Sequence, residues 1–501
     1  MMATDAKYVV AQGDQSLMPL ADAVAAAAAR HVVNLHATPW TGRPIVSRKG
    51  IRAAQDQLFG DRLRDGDQSV GSYAIDSFHH PRGALAQAQS LAAAAFGVQS
   101  THFVTGGCTM ANTIAIAAAL PHGGRALVDA RAHQSVHFAI DDRTASVDVL
   151  PEVNGVMDVT GGAAMLLAAR ESGRPFDLVA LSVSSYDGQR LDCSAVLSEL
   201  SAADPGVRFV LDDAWCAIHG FAEASRHPGP LAALPSLRER GHDNPIIVTQ
   251  SAHKTMLALR QGAYVHVDAR HDVRLGERLR SSIFRHHTTS PSWPILASLD
   301  IARAHAVCDG ESSVRRSLAL IRELSTRLTA RTAGRFEVLA PDATAPYRPD
   351  AMRAHIRIPP GGDAVAVREE LWSAHGIHIP RVQGDRLVAS VTIGVSEDSI
   401  DRLIEALSSM DVPAAPAAAR TSTAAEADSD GFLVAYPPGV PLRLAYPGAR
   451  AEALSELADE LSNGAEIFAV PPSRYPDPDT PQGASVDRRP LARSDSRFLF
   501  L

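Results

Sequence analysis

Short apolar runs alternate with helix-forming stretches through the middle of the chain. Four runs, each apolar and bounded by polar residues, Gly or Pro, occur at 126–129, 178–183, 209–211 and 246–249. Such runs are typical of strands buried on both faces of a sheet. Segments with helical character, such as 163–172 and 194–203, separate them. The alternation predicts an α/β fold with a mostly parallel sheet, whose ligands bind at the carboxyl ends of the strands.

The pattern before this region predicts a helix at 85–96, ended by Gly97, and a strand at 101–105. Gly106 and Gly107 then lead into a second apolar helix at 110–120.

The pattern after about residue 310 predicts a long amphipathic helix over 313–332, followed by a smaller α+β unit. Its predicted elements are strands at 355–358 and 387–392 and helices at 364–375 and 399–407.

These changes in composition also predict the domain organisation. We expect an N-terminal arm over 1–50, a major domain over 51–310, a small α+β domain over 311–412, a linker rich in Pro, Ala, Ser and Thr over 413–430, and a C-terminal segment over 431–501. The end of that segment, from 471 on, is rich in Pro, Arg and Asp, which favours an extended or disordered tail.

Composition and charge narrow the class of protein. The chain has 501 residues, which is too many for one compact core, and 48 Lys and Arg against 56 Asp and Glu give a net charge of −8. This balance argues against a nucleic-acid binder. No apolar stretch approaches the roughly 20 residues that span a bilayer, and no secretory signal is recognisable. Four scattered cysteines are typical of reduced thiols, so we expect a soluble cytoplasmic protein.

The turn Gly107-Cys108-Thr109 could bind an anion. A glycine-rich turn before a helix leaves backbone N–H groups without intrahelical partners, and these suit a phosphate. An ordinary turn with Thr109 near the helix cap explains the same residues equally well.

Acidic residues and a lysine directly follow two of the predicted strands. Asp212 and Asp213 could hold a protonated heterocyclic nitrogen, and the small Ala214 would let a flat ring approach; acids exposed in a loop are the alternative. Lys254 is unusual at a strand end, because lysines are normally carried on solvated faces. In an apolar site its amine could form a Schiff base with a carbonyl group.

His133 follows the run at 126–129 in a predicted loop, where a lone histidine is more often structural than catalytic. Taken in order, however, the candidates supply a phosphate cup, a stacking ring, a carboxylate for a ring nitrogen and a lysine for an aldehyde. Pyridoxal 5′-phosphate (PLP) requires these four features, so we predict this cofactor and no metal.

The segments that carry these residues resemble one enzyme family. TQSAHKTMLALRQGAYVHV (249–267) is similar to the cofactor-lysine segment of the bacterial ornithine/lysine/arginine decarboxylases. The resemblance extends to ALAQAQSLAAAAFGVQSTHFVTGGCTMAN (84–112), VDARAHQSV (128–136), LDDAWCAIHGF (211–221) and HHTTSPSWPILASLDIAR (286–303), and more weakly to 375–385 and 436–448. It implies a PLP-dependent transferase-like large domain of fold type I, in the short form of the family.

The family's site residues map onto this chain position by position. The resemblance implies that Lys254 binds the cofactor aldehyde, Asp212 pairs with the ring nitrogen, Ala214 and His133 lie against the two ring faces, and Trp215 sits near the ring hydroxyl. It also implies phosphate binding by the Gly107 turn and by Cys108, Thr109, Ser251 and His253. Thr288 and Ser290 match residues that reach the phosphate of the neighbouring subunit, which implies a homodimer, or a higher oligomer, with shared sites.

The departures from the family pattern fall at the substrate end. Gln134 and Cys108 replace the usual Lys and Thr, which the site can tolerate. Pro380 and Ala449 stand where acidic residues are usual, and such acids would suit the cationic end of a basic substrate.

We therefore predict decarboxylation of an amino acid, most simply arginine, lysine or ornithine, to the amine and CO₂. One alternative keeps the cofactor but runs transamination, oxidative deamination or elimination on a different amino acid. Another is a non-catalytic binding module, which would not need the full set of site residues. A dinucleotide enzyme is disfavoured, because no G-x-G-x-x-G motif follows an early strand.

Overall fold

A computed structural model describes residues 13–30, 35–36, 51–69, 71–225, 229–415, 431–446, 454–470 and 498–500. Most of the predicted arm, linker and tail lies outside these residues and stays a prediction, as does the substitution at Ala449. None of the described helices is long and apolar enough to cross a lipid bilayer.

The described helices follow in chain order, with two short 3-10 turns at Ala217–Phe221 and Glu223–Ser225. They are α1 (Pro19–Ala29), α2 (Ile51–Gly66), α3 (Gly71–Ala74), α4 (Ala84–Phe96), α5 (Gly107–Ala119), α6 (Gln134–Asp141), α7 (Val159–Glu171), α8 (Cys193–Ala203), α9 (Pro230–Glu239), α10 (Ala252–Thr255), α11 (Val273–His286), α12 (Trp293–Arg331), α13 (Ala364–His375), α14 (Glu397–Ser409) and α15 (Leu454–Ser462).

The described strands are β1 (Ser100–Val104), β2 (Gly124–Val128), β3 (Thr144–Val149), β4 (Glu152–Val153), β5 (Val156–Met157), β6 (Leu178–Ser182), β7 (Gln189–Leu191), β8 (Arg208–Asp212), β9 (Ile246–Gln250), β10 (Ala263–Asp268), β11 (Glu337–Leu339), β12 (Tyr347–Pro349), β13 (Arg353–Arg357), β14 (Arg381–Gln383), β15 (Arg386–Ser390), β16 (Phe432–Tyr436), β17 (Val440–Arg443), β18 (Glu466–Val470) and β19 (Phe498–Phe500).

The chain divides into two compact units, and the first comprises residues 1–119 and 208–311. Its strands lie in the order β1-β10-β9-β8. Strands β8 and β9 run parallel, with Asp212 opposite Thr249, whereas β10 is antiparallel to both of its neighbours. Helix α5 packs on β8, β9 and β10 through fully buried residues such as Ile114. Because β9 is buried along its whole length, the residues that follow it start from a fixed position.

The second unit comprises residues 120–207 and 312–501. It contains the parallel strands β6-β2-β3, an antiparallel sheet β11-β13-β15-β14, and a further sheet β17-β16-β18-β19. Helices α13 and α14 share a core with the antiparallel sheet, in which Ile356, Leu371 and Leu387 are buried.

The predicted α/β fold class is confirmed, since β2–β3, β2–β6 and β8–β9 are parallel pairs and all four apolar runs are strands. Helix α4 ends at Gly97, whose φ of 70° is the left-handed conformation expected of a glycine stop. Strand β10 and helix α11 were not predicted, and α12 starts at Trp293, earlier than the predicted 313. The division into units separates 120–207 from 208–311, so it does not follow the predicted domain boundaries, which stay predictions.

Candidate active site

Lys254 lies just beyond the end of β9, as the third residue of the short helix α10. Its backbone N–H donates to Ser251 O at 3.2 Å, which holds the turn that follows the strand. Its side chain is half-buried. The only other lysines in the sequence are Lys7 and Lys49, so Lys254 is the one lysine among the described residues, and the other long basic side chains there are all Arg. This scarcity was available to sequence analysis, and it strengthens the case for Lys254, because an amine can lose its proton and act as a nucleophile whereas a guanidinium cannot.

The ammonium group of Lys254 lies over an aromatic face. Its Nζ is 3.9 Å from the ring centroid of Trp215, which follows β8. A cation–π contact of this kind stabilises the ammonium by roughly 0.5–2 kcal/mol. The ends of β8 and β9 thus bring together two of the predicted site residues.

Asp212, the last residue of β8, is buried and accepts hydrogen bonds from neutral donors. Asn112 Nδ2 donates to its Oδ2 at 2.9 Å, and Ala214 N donates to its Oδ1 at 3.2 Å. The side chain is only 4% exposed. Its two oxygens are therefore held in fixed directions at the carboxyl end of the strand.

Asn112 is a site residue that the sequence analysis did not identify. It is fully buried on α5, and its Oδ1 accepts a 2.6 Å hydrogen bond from Thr249 Oγ1. Since the threonine hydroxyl donates to the amide oxygen, the amide nitrogen is directed at Asp212. The available signal was an Asn within an otherwise apolar helix face, because a buried Asn needs hydrogen-bond partners.

The glycine turn differs from the predicted anion cup. Helix α5 begins at Gly107, earlier than the predicted residue 110, and Gly107 has a φ of 66°. Gly107 N donates to Gln261 O at 2.8 Å, and Cys108 N donates to Ser251 Oγ at 3.3 Å. These two amides thus already have protein acceptors, so the exposed hydroxyl of Thr109 and the Ser251 hydroxyl are the better anion donors.

Cys108 carries a neutral thiol. Burial and the negative charge of Asp212 raise its pKa to about 12, although the charge of Lys254 acts in the opposite direction. The thiol is therefore not a nucleophile at neutral pH. Because Asp212 and Lys254 both act on it, the three side chains share one neighbourhood.

His253 is held next to the glycine turn. Its Nδ1–H donates to Gly262 O at 3.0 Å, and its Cε1 lies 3.9 Å from the position that a Cβ on Gly107 would take. Burial lowers the pKa of His253. With Nδ1 donating to a carbonyl, Nε2 can donate to an anion only when the ring is protonated.

His133 belongs to the second unit, and it is a helix cap rather than a loop residue. It precedes α6, and its Nδ1 accepts a 3.2 Å hydrogen bond from Ser135 N and lies 2.9 Å from Ser135 Oγ. The ring orientation is thus fixed by the first turn of the helix.

Thr288 and Ser290 lie in the first unit on an exposed segment after α11. Ser290 N donates to Thr288 Oγ1 at 3.1 Å. Beneath them, the buried His287 accepts from Thr105 N at 3.1 Å and donates to Thr288 O at 2.9 Å. His287 therefore anchors the segment that carries Thr288 and Ser290, and the hydroxyl groups of these two residues are accessible.

In the first unit, most of the predicted site residues thus lie together around the ends of β8 and β9, whereas Thr288 and Ser290 lie on a separate exposed segment. The gathered residues are Gly107, Cys108, Thr109, Asp212, Ala214, Trp215, Ser251, His253 and Lys254.

A family model described as "Orn/Lys/Arg decarboxylase, major domain" matches residues 18–346, which include every predicted site residue. Among curated proteins, YaaO of Bacillus subtilis, an uncharacterized protein, is 32% identical over 46% of this chain and 46% of its own length. Lysine decarboxylase LdcA of Pseudomonas aeruginosa is 28% identical over 57% of this chain and 41% of its own. The chain thus spans about half the length of these relatives.

The fold has known counterparts. The crystal structure of the Francisella novicida lysine decarboxylase LdcF aligns with a TM-score of 0.69 over 89% of this chain and 76% of that one, at 17% identity. Lysine decarboxylase A from Pseudomonas aeruginosa aligns with a TM-score of 0.66 over 78% of this chain and 59% of that one, at 22% identity. At these identities the similarity shows a shared fold.

The hydrogen bonds that link Thr249, Asn112 and Asp212 predict that substitutions at Thr249 and Asn112 have coupled effects on stability. Asn112→Leu and Thr249→Val should each lower the free energy of unfolding by about 1–3 kcal/mol, because each leaves a buried polar partner unsatisfied. In the double variant, the loss in the free energy of unfolding should be smaller than the sum of the two single losses by about 1 kcal/mol or more, measured by urea denaturation. Thr113→Val, on the same helix, is the matched control and should change stability by less than about 0.5 kcal/mol. Full additivity in the double variant would contradict this chain of contacts.

Proposed function

The chain belongs to the Orn/Lys/Arg decarboxylase family, and from this membership we propose that it is a PLP-dependent enzyme that decarboxylates a basic amino acid. The observation that carries the proposal is the position of Lys254. It is the single lysine among the described residues, it follows a buried strand, and it lies beside Trp215 in the neighbourhood of the buried Asp212.

The donor set fits this cofactor. An amine for an aldehyde, a buried carboxylate for a protonated ring nitrogen, and hydroxyl groups at a helix N-terminus for a phosphate occur together in the first unit. Lys254 would hold the cofactor covalently, and Asp212 would keep a proton at the ring nitrogen. The hydroxyl groups of Thr109 and Ser251, together with His253, would bind the phosphate beside the turn that Gly107 and Cys108 form.

The remaining assignments follow the family pattern. Ala214 and His133 would lie against the two ring faces, and Trp215 near the ring hydroxyl. When bound, PLP supplies an electron sink for the bond that breaks at Cα.

The chain's own residues would supply an oriented carboxylate, that of Asp212, and a proton that Lys254 can release. Asn112 and Ala214 orient the carboxylate of Asp212 before any ligand binds, which is the preorganisation that stabilises charge developing in a transition state. Loss of CO₂ requires one proton to be delivered to Cα. Lys254 can hold and release such a proton, and its ammonium form is stabilised over Trp215.

The substrate class rests on the relatives, which include proteins named lysine and arginine decarboxylases. Pro380 favours the alternative, a different PLP reaction or a non-basic substrate. It stands where the family pattern has an acid, and the next residue is the buried cation Arg381. Incubation with a panel of amino acids, scoring CO₂, keto acid and ammonia separately, discriminates between the two. CO₂ released from lysine, arginine or ornithine supports the proposal, whereas keto acid or ammonia, or CO₂ from other amino acids alone, supports the alternative.

We also propose that this enzyme is cytoplasmic. The four cysteines all lie in the described residues and form no disulfide bond, and three of them are buried, as expected in a reducing compartment.

Replacement of Lys254 separates its charge from its nucleophilicity. Lys254→Arg keeps a cation but cannot bind an aldehyde, and Lys254→Ala removes both properties. Both variants should lose the visible absorbance of the bound cofactor, and decarboxylation should fall by about a thousandfold or more. Lys7→Arg/Lys49→Arg is the matched control and should retain both signals. After borohydride reduction of that control, peptide mapping should find the modification at Lys254. Turnover and a visible band in Lys254→Arg would refute the assignment.

We propose in addition that the enzyme is a homodimer in which Thr288 and Ser290 complete the phosphate site of the neighbouring subunit. Support comes from the exposure of both residues on a segment that His287 anchors, and from the exposed apolar side chain of Phe284 nearby in the sequence.

Mixing two inactive variants tests the shared site. Subunits with Lys254→Ala are combined with subunits carrying Thr288→Ala and Ser290→Ala, unfolded together and refolded. If sites are shared, each mixed dimer has one complete site, so activity should recover to about a quarter of the wild-type value. No recovery, with mixed dimers demonstrated by mass, would contradict a shared site.

A further inference from the structure

The turn between β16 and β17 meets the start of α6, and all of these elements belong to the second unit. Gly439 O accepts a hydrogen bond from Gln134 N at 2.8 Å, and Gly439 N donates to Ala435 O at 2.7 Å. The backbone of this turn therefore lies directly against the helix cap that His133 forms.

Gly439 touches the imidazole of His133. A Cβ on Gly439 would lie 2.7 Å from His133 Nε2 and 3.0 Å from its Cδ2, and Gly439 has a φ of 83°. Any side chain at this position would have to displace the ring. The residue must be glycine both for its conformation and for the close approach.

The opposite edge of the same ring is held by α6. Nδ1 accepts from Ser135 N, so the neutral ring carries its proton on Nε2, the atom that faces Gly439. His133 is thus clamped between its own helix and the turn of a segment more than 300 residues away in the sequence.

Two aromatic side chains anchor that segment on α6. Tyr446 OH donates to His137 O at 3.0 Å and lies 3.2 Å from His137 Nδ1. Phe432 packs edge-to-face on Phe138, with the ring centroids 5.2 Å apart. Burial lowers the pKa of His137 to about 3, so it stays neutral in this contact at physiological pH.

We propose that residues 431–446 are a positioning element of the active site, in which Gly439 sets the orientation of the His133 ring for the cofactor. The inference rests on the proposed function in one respect, the role of His133 beside the cofactor. The contact itself is independent of that role and can be measured without the cofactor.

Gly439→Ala tests the contact in the full chain, and Gly384→Ala is the matched control. Gly384 also has a positive φ, 60°, but nothing lies within 4 Å of the position of an added Cβ. Both variants carry the same kind of backbone strain, and only Gly439→Ala pushes on His133. In ¹⁵N-labelled protein without cofactor, the imidazole signal that disappears in His133→Gln should shift in Gly439→Ala and stay in place in Gly384→Ala.

Titration with PLP supplies the second measurement. Gly439→Ala should raise the Kd for PLP about tenfold or more and shift the absorbance maximum of the bound form, because a displaced ring no longer fits the cofactor face. Gly384→Ala should bind as the wild type does. In the His133→Ala background, Gly439→Ala should add less than about a twofold further change, since the ring that it displaces is gone.

The outcomes separate the inference from the proposed function. An unchanged imidazole signal and an unchanged Kd in Gly439→Ala would overturn the inference. A shifted signal in a protein whose wild type does not bind PLP would support the positioning contact and overturn the proposed function.

If Gly439→Ala does not fold, Tyr446→Phe loosens the same segment by removing one hydroxyl. It should shift the His133 signal, whereas Tyr436→Phe, at a half-exposed position in the segment, should not. An identical His133 signal in both tyrosine variants would overturn the inference.

Discussion

The parallel pairing of β8 with β9 is the constraint on which the candidate active site depends. Its register sets Asp212 opposite Thr249, so both strands end at the same edge of the sheet. The residues after each strand, including Trp215 and Lys254, therefore leave that edge together. A slip of one residue would turn every side chain of one strand to the other face and separate Asp212 from its partners. The site is thus a product of sheet register as much as of any local motif.

A buried polar chain connects that register to helix α5. Thr249 donates to Asn112, and Asn112 donates to Asp212, within an interior where an unpaired polar group is costly. The apolar face of α5, which includes the fully buried Ile114 and Ile116, holds the helix against the strands and keeps Asn112 in place. Burial of apolar surface therefore makes this region rigid, and the hydrogen bonds from Thr249 through Asn112 fix the orientation of the Asp212 carboxylate.

The parts of this arrangement that could be predicted are those with a local signal. Buried strands appear as apolar runs, and Asp212 and Lys254 stand out because charged residues directly after such runs need a reason to be there. Contacts between segments that are distant in the sequence have no such local signal. Asn112 reads as an ordinary helix residue until Thr249 is placed beside it, and the amide of Cys108 looks available until Ser251 occupies it. His133 reads as a loop residue because its capping of α6 and its contact with Gly439 depend on tertiary structure.

The residue after Pro380 is a buried cation that forms ion pairs with two distant carboxylates. Arg381 is bound by both Asp187 and Glu460. Burial opposes its charge, but the hydrogen bonds that it donates to these two carboxylates, and their negative charges, raise its pKa, so the cation persists. Because two carboxylates bind its guanidinium, Arg381 brings no uncompensated positive charge to the position next to Pro380. The cation is therefore fixed by residues of the second unit that lie far apart in the sequence, and the sequence beside Pro380 shows the cation but not its partners.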